Sequence, residues 1–418
     1  MKGVILAAGK GERLRPLTDD RPKVILKVAN RPIIEYVLES LYPFVDEFVV
    51  VVRYRKEKLI ETLGDEFGGK PITYVEQLPG EGTAKAIESA RENVDGEFIV
   101  VNGDIYFEEK AIRELVSAFR RERADVAMVV KHFEDLSHFG KVEIDKGKVT
   151  RVLEKPGKVP GYANLGIYAF RSRVFEFIEK TELSARGEYE ITDTINLMIG
   201  DNLKVIAVPY DGYWNDIGRP WDLLELNEYL LKTKLRHEIR GTVEEGATVI
   251  PPVEIGEGTI VRSGAYIVGP VKIGRNSRIG PNCFIRPYTS IGDNCHIGNA
   301  VEVKNSIIMD NSNAPHLNYV GDSIIGENTN LGAGTITANL RHDRGNVRVE
   351  IKGKLEDSGR HKLGAIIGHN VKTGINVSIY PGRKLGSNSF IGPGVIVDGN
   401  VPPNSLVVVK QEKLVREL

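Results

Sequence analysis

Cysteine is almost missing from this chain. Only Cys283 and Cys295 occur, which excludes a disulfide framework and any cysteine-spaced zinc site. Long apolar runs are missing too. No stretch nears the ~18 residues of a membrane span, so no membrane partner is expected. Nor is there an excess of charge of one sign: 27% of residues are charged, with a net charge of -1. That excludes the basic footprint of a nucleic-acid binder and the acidic tail of a disordered partner. The N-terminal apolar segment is too short for a signal peptide and breaks at a charged residue, so a cytoplasmic location is expected. Small-molecule chemistry is left, on a chain of 418 residues that is long enough for two or three domains.

Two periods divide what is present. As far as residue 240, apolar runs such as "GVILAA", "EFVVVV", "EFIVVNGD", "ADVAMVV" and "LKVIAVP" alternate with the helical patterns "PIIEYVLESL" and "KAIRELVSAFRRE". This predicts an α/β domain, residues 1–240, built on a mostly parallel, Rossmann-like sheet, with ligands at the carboxyl ends of its strands. From Val243 the period becomes six. Ten successive hexads begin with a β-branched aliphatic residue, from Val243 and Val249 through Ile291 and Ile297, and their fifth places are small, as at Ala265, Ser277, Cys283 and Cys295. One hexad cannot bury its apolar side without stacked neighbours, so residues 241–418 are expected to form a parallel β-helix. The two cysteines then read as small core residues. The phase slips between Val303 and Ile325, and a polar insertion, "ANLRHDRGNVRVEIKGKLEDSGRHK", breaks the repeat after Thr337. Loops that interrupt a regular scaffold are where function concentrates. The end "KQEKLVREL" reads as a solvated tail or a short helix.

The opening "GVILAAGKGERLRPLT" fails both familiar glycine motifs. Leu14 stands where a dinucleotide fingerprint needs its third glycine, and no Gly-Lys-Ser/Thr follows. A turn after a first strand still offers backbone N–H groups to an anion, and Arg13 adds a guanidinium fork suited to phosphate.

"LAAGKGERLRPLT", followed by "RPKVILKVANRPIIEY", resembles the opening of the sugar-phosphate nucleotidylyltransferases. "EQLPGEGTAKA", "VNGD", "FGKV", "EKP", "ANLGIYAF" and "WNDIGRP" follow in that family's order. The resemblance implies that Leu6, Ala7, Ala8, Gly9 and Gly11 meet the nucleotide, that Arg13 and Lys23 are the catalytic contacts to the triphosphate, and that Gln77, Gly82 and Thr83 read the base. It places Gly140, Glu154, Lys155 and Asn164 around the sugar phosphate, and Asp104 and Asp216 on Mg2+. Without it, Asp104 reads equally as part of an Asn-Gly hairpin turn, Asp216 as a turn residue, and "EKPGK" as a charged surface turn. A glutamine amide donates and accepts at once, as a pyrimidine edge requires. Both reactants, UTP or dTTP and a sugar 1-phosphate, are anions. The expected chemistry, in-line attack on the α-phosphorus with pyrophosphate leaving, therefore needs cations more than a base.

The stretch from Ile285 to Asn339, "IRPYTSIGDNCHIGNAVEVKNSIIMDNSNAPHLNYVGDSIIGENTNLGAGTITAN", resembles the acetyltransferase half of the bacterial bifunctional enzymes that make UDP-N-acetylglucosamine. This implies a left-handed β-helix and Arg286 and Lys304 on the sugar phosphate. Tyr319, Asn330 and Asn339 would surround the sugar, His316 would be the general base, and Ala333 would lie near acetyl-CoA, the co-substrate. A neutral imidazole can take the proton from an amine attacking a thioester, because its ordinary pKa is close to working pH. His296 reads as surface, and His342, His361 and His369 match no motif. After "TITAN" the bacterial pattern has an aromatic residue where this chain has Leu340, and its insertion is shorter. A homotrimer is expected, since acetyl sites in that family lie between neighbouring helices.

The whole then reads as a bifunctional synthesis of UDP-N-acetylglucosamine. Two readings stay open: a glucose-1-phosphate thymidylyl- or uridylyltransferase whose β-helix serves assembly or regulation, and a non-catalytic regulatory subunit of the same architecture.

Overall fold

The computed structural model describes residues 1–417. Inter-residue contacts divide them into two compact units: Met1–Lys10, Arg21–Ile25 and Ile33–Asp216 in the first, and Gly11–Asp20, Leu26–Pro32 and the chain from Ile217 onward in the second. This division is not the boundary at 240 expected from periodicity. The helix Pro220–Thr233 belongs to the second unit, and its buried Asn227 shows why. That side chain accepts from Ala29 N–H (3.0 Å) and donates to the Tyr288 carbonyl (2.9 Å), joining three segments of the unit.

In the first unit the apolar runs become strands. Glu97–Asn102, Lys2–Leu6, Glu47–Val52 and Lys70–Glu76 lie side by side and parallel, and Val205–Pro209 runs parallel to Val126–Phe133. The inner positions of Lys2–Leu6, Glu47–Val52 and Glu97–Asn102 are buried on both faces, the pattern of strands covered by helices on each side. The helix Glu109–Arg121 buries Ala111, Ile112, Leu115, Val116 and Phe119, one stripe of a 3.6-residue period. Gly161–Arg171 enters the same sheet antiparallel, between Glu97–Asn102 and Val126–Phe133. Leu6 pairs with Val51 and with Asn102, so these parallel strands end together and open a crevice beyond their carboxyl ends. A separate two-stranded antiparallel ladder, Ile105–Phe107 with Trp214–Asp216, sets Asp216 opposite Ile105.

The second unit is a left-handed β-helix of hexapeptide repeats. Ile255 pairs with Ile273 and Ile273 with Ile291, so three hexads make one turn, and turns stack into parallel sheets. From Ile291 the turn shortens by one residue. Ile291 pairs with Ile308 rather than Met309, and Ile308 with Ile325, which is the phase slip read in the sequence. Ile325 then pairs with Ile367, and the chain between them carries the insertion, whose core is the hairpin Arg348–Ile351 and Lys354–Asp357. The interior is aliphatic, and small polar residues in the fifth places complete its corners. Thr259 Oγ1 donates to Gly274 O (2.6 Å) and accepts from Ser277 N, while Ser277 Oγ donates to Gly292 O (3.0 Å) and accepts from Cys295 N. Cys283 and Cys295 are buried, and burial pushes both thiols up to about 12, which makes them inert core residues. Val243 and Val249, first in the repeat, are only half-buried because no complete turn precedes them. Residues 408–417 are exposed and form neither helix nor strand. Among the described residues no helix is long and apolar enough to cross a membrane.

Candidate active sites

In the first unit, the crevice at the strand ends holds a cavity of about 420 Å³. Its wall gathers Leu6, Ala7, Ala8 and Gly9 from the end of the first strand, Lys23 and Asp104 on one side, and Gln77, Gly82 and Thr83 on the other. Each holds its place for a local reason. Ala7 N donates to Val51 O and Gln77 N to Val52 O (both 2.9 Å), extending the ladder past the strand ends. Gln77 Nε2 donates to Gly80 O (3.0 Å), which folds its amide toward the turn. Gly82 has φ 113, and a Cβ there would stand 2.3 Å from the Tyr189 carbonyl oxygen, so only glycine lets the two segments close. Thr83 then accepts from Ile191 N (3.0 Å).

Asp104 does not sit in a hairpin. The strand before it pairs with Lys2–Leu6 and the strand after it with Trp214–Asp216, and Gly103 N donates to Leu6 O (2.9 Å). Asp104 therefore leaves the sheet at the crevice, where Lys23 forms an ion pair with it, and both side chains are mostly buried.

Beside this cavity, and sharing Thr83 and Asn102 with it, lies a second one of about 150 Å³. Gly140, Glu154 and Asn164 line it together with Asp216. Asn164 Nδ2 donates to the Tyr168 hydroxyl (2.6 Å), and Arg186 donates to Glu154 (2.8 Å). Lys155 is exposed, at φ 44, and does not line this cavity. Glu190 was not foreseen. Its Oε1 is buried, 3.1 Å from Arg186 but without a hydrogen bond. Burial, and next the charge of Glu154, push its carboxyl up to about 7. The sequence signal was present in "GEYEITD", an acidic residue just before the helix Ile191–Gly200, but its inward side chain was not.

Gly11 and Arg13 belong to the second unit. Gly11, at φ 63, precedes the short 3-10 helix Glu12–Leu14. The Arg13 guanidinium lies 3.6 Å from where a Cβ on Gly218 would stand.

On the β-helix, Lys304, Tyr319 and Asn339 come together around one residue that the sequence reading missed. Asp322, 2% exposed, accepts from Lys304 Nζ (3.0 Å), Asn339 Nδ2 (2.6 Å) and Asn305 Nδ2 (2.8 Å), and Asn339 also reaches the Tyr319 hydroxyl (3.1 Å). A buried carboxylate with three donors is what holds an amine and an amide in fixed directions. Arg286 lies one turn before Lys304, its backbone N–H on Val303 O and its guanidinium on Glu302 (2.7 Å). His316 is exposed and ends the strand Asn313–His316 on the adjacent sheet, opposite Asn299, just before the corner that leads to Tyr319. Asn330 bridges Asn313 and Lys372 on that same sheet. Ala333, in the loop after it, accepts from Asn376 N. His296 is half-buried rather than free surface, and burial, followed by the charge of Arg278, lowers its pKa.

A family model described as nucleotidyl transferase matches residues 2–233, one described as GMPPB C-terminal domain matches 267–380, and one described as bacterial transferase hexapeptide (six repeats) matches 364–399. The bifunctional protein GlmU of Methanocaldococcus jannaschii is 45% identical over 421 residues, covering 100% of both chains. The bifunctional sugar-1-phosphate nucleotidylyltransferase/acetyltransferase of Sulfurisphaera tokodaii is 42% identical over 407 residues, 96% of this chain and 98% of that one. Among solved structures, that of an apo UDP-glucose pyrophosphorylase superposes with a TM-score of 0.51 at 20% identity, over 56% of this chain and 99% of that one. That likeness is one of fold alone.

Proposed function

This chain belongs to the nucleotidyl transferase family, as a sugar-1-phosphate nucleotidylyltransferase with an acetyltransferase-type hexapeptide domain, and from that premise we propose that it makes UDP-N-acetylglucosamine in two steps. The second unit moves acetyl from acetyl-CoA to the amine of glucosamine 1-phosphate. The first joins the product to UTP and releases pyrophosphate.

One observation carries the reading: a single chain holds both a strand-end crevice with two carboxylates and, on its β-helix, the Lys304, Tyr319 and Asn339 cluster near an exposed histidine.

In nucleotidyl transfer, backbone from Leu6 to Gly11 meets the nucleotide, and Gln77, Gly82 and Thr83 face the base. Glu154 and Asn164 take sugar hydroxyls, and Lys155, exposed and outside the cavity lining, takes the sugar phosphate from the solvent side. Arg13 and Lys23 offset the charge of the triphosphate and of the leaving pyrophosphate, the dominant need when one anion attacks another. The donor set fits Mg2+. Asp216 faces Ile105 across the ladder, so it stands next to the position of Asp104. Asp104 and Asp216 are the carboxylates proposed to hold the ion. Mg2+ is ordinarily held by one or two carboxylates, with water and substrate phosphate completing its shell. When bound, it supplies positive charge to the phosphate oxygens.

In acetyl transfer, Arg286 and Lys304 bind the sugar phosphate, and Tyr319, Asn330 and Asn339 orient the ring. His316 takes the proton from the attacking amine at a ring nitrogen. Acetyl-CoA lies along the turns near Ala333. A homotrimer completes these sites, and one sheet of the β-helix carries exposed apolar side chains that suit such an interface.

A substrate grid tests the reading. Purified protein is assayed for pyrophosphate with UTP, dTTP and several sugar 1-phosphates, and for free thiol with amino-sugar 1-phosphates and acetyl-CoA. The expected best pairs are UTP with N-acetylglucosamine 1-phosphate and acetyl-CoA with glucosamine 1-phosphate. Preference for dTTP with glucose 1-phosphate and no thiol release would replace it with an assembly role for the β-helix. No pyrophosphate with any triphosphate would favour a regulatory subunit.

A further inference from the structure

From Ile255 to Ile325, the residue two places after the inward aliphatic in this column of the β-helix is charged and exposed or half-buried, at Glu257, Arg275, Asp293, Asp310 and Glu327. Glu257 after Ile255 and Arg275 after Ile273 are exposed examples. In two successive turns the same place is buried: His369 after Ile367 and Ser387 after Leu385, at 0% and 1% exposure. What covers them is the segment Gly11–Asp20, which lies in the same unit. The Ser387 hydroxyl donates to the Pro16 carbonyl (3.0 Å), and Ser387 N donates to Asp19 Oδ2 (3.2 Å). His369 Nε2 lies 2.9 Å from the Leu17 carbonyl oxygen.

The histidine's tautomer follows from its other nitrogen. Nδ1 accepts from Glu327 N–H (2.9 Å), so the ring proton sits on Nε2 and is donated to Leu17. The Pro16 carbonyl also accepts from Asp19 N–H within the loop (3.3 Å), so the Ser387 hydroxyl is its second donor, and His369 is the donor to the Leu17 carbonyl. The loop is stiff between its ends. Leu14 N bonds Gly11 O (2.9 Å), Leu17 N bonds Leu14 O (3.0 Å), and Thr18 Oγ1 returns to Gly11 O (2.8 Å). Fixing Pro16 and Leu17 therefore fixes Arg13. The insertion hairpin adds a further hold, Lys352 on Glu12 (2.6 Å).

We propose that His369 and Ser387 are positioning residues for nucleotidyl transfer: they hold the loop carbonyls of Pro16 and Leu17 and, through that loop, set Arg13 for the triphosphate. The proposal rests on the reading of Arg13 as a triphosphate contact. The β-helix then has a role in the chemistry of the other domain, apart from its own acetyl site and from assembly.

The test uses the full-length chain and two assays, pyrophosphate release and thiol release. His369→Asn keeps an acceptor for Glu327 N–H but is too short to reach Leu17, whereas His369→Gln reaches it. His369→Asn and Ser387→Ala are each expected to lower kcat/KM for the triphosphate by ~10-fold or more, since small misplacements of a phosphate contact are costly. Thiol release should stay within about twofold, and His369→Gln should recover most of the loss. In an Arg13→Ala background the same changes should cost less than about twofold, because residues acting through one another are not additive. Unchanged pyrophosphate release in the folded variants overturns the proposal. So does a loss that multiplies in the Arg13→Ala background, or one that falls equally on thiol release. If His369→Asn does not fold, Ser387→Ala decides alone. A wild-type chain that releases no pyrophosphate at all overturns the reading of Arg13 itself, and that result is seen before any variant is made.

Discussion

Lys23 and Asp104 form an ion pair at the mouth of the first cavity: the lysine assigned to the triphosphate is held by the carboxylate assigned to the metal. Asp104 would help to hold Mg2+, which would supply positive charge to the phosphate oxygens, and Lys23, an ammonium that also pairs with phosphate, would share that task. Asp104→Asn is expected to lower pyrophosphate release by ~10²- to 10³-fold, the range seen when one charge-stabilising group is lost, and to spare thiol release. Titrating Mg2+ against both assays checks this. Equal loss of both activities in a folded variant would contradict two separate sites.

His316 should behave in the opposite way. His316→Ala is expected to cut thiol release by ~10²- to 10⁴-fold, as for loss of a general base, and to leave pyrophosphate release intact. Asp322 gives a structural contrast at the same site. Asp322→Ala leaves Lys304 and Asn339 without their shared acceptor, and breaking such a buried pair costs ~3–5 kcal/mol. It should therefore lower the melting midpoint as well as acetyl transfer, where His316→Ala lowers only the latter. Calorimetry beside the thiol assay separates the two. A His316→Ala chain that releases thiol at the wild-type rate would remove the histidine from the chemistry.

Much of this architecture is readable from periodicity, and the exceptions have physical causes. Continuous apolar runs such as "EFVVVV" and the six-residue repeat announce buried strands and stacked turns because burial alone fixes those patterns. The antiparallel strand Gly161–Arg171 escapes because an apolar run carries no mark of its direction. The division of the chain escapes because the contacts of Gly11–Asp20 and Leu26–Pro32 are with residues hundreds of positions away, such as Leu17 with His369 and Lys27 with Asp310. In the first unit, Leu6–Gly9, Lys23, Gln77, Gly82, Thr83 and Asp104 line one cavity, and Gly140, Glu154, Asn164 and Asp216 the next. Asp322 and Glu190 were missed for a common reason: a lone carboxylate in a polar stretch looks solvated until the fold shows it buried.

Glu190 makes the first unit sensitive to pH. Its carboxyl has an ordinary value of 4.5 and in the folded chain is pushed up to about 7, mainly by burial and then by Glu154. The folded state thus favours the protonated form. That stabilising contribution is complete below pH 4.5 and is lost as pH rises through about 7. Glu190→Gln, which carries a neutral amide at every pH, should melt higher than wild type at pH 8, by up to ~3 kcal/mol, and the difference should vanish near pH 4.5. Thermal denaturation at the two pH values decides it. Equal midpoints at pH 8 would mean that the carboxylate is accommodated as readily as the acid.

The outward face of one β-helix sheet predicts how chains associate. Register places Tyr266 beside Phe284, Phe284 beside Glu302, Glu302 beside Tyr319, and Tyr319 beside Ile336, all in one column. Tyr266, Phe284 and Ile336 are 43%, 37% and 39% exposed. Three large apolar side chains exposed on one column that Glu302 interrupts suit self-association on a rigid face. Because Tyr319 is also one of the proposed sugar contacts, the same face would bring a neighbouring chain to the acetyl site. Tyr266→Glu with Phe284→Glu sets like charges along the column beside Glu302. Light scattering should then report monomers in place of the trimers proposed for the unaltered chain, with thiol release strongly reduced and pyrophosphate release kept within about twofold, since surface substitutions away from a site seldom disturb folding by more than ~0.5 kcal/mol. A double variant that remains trimeric and fully active in acetyl transfer would show that the column faces water.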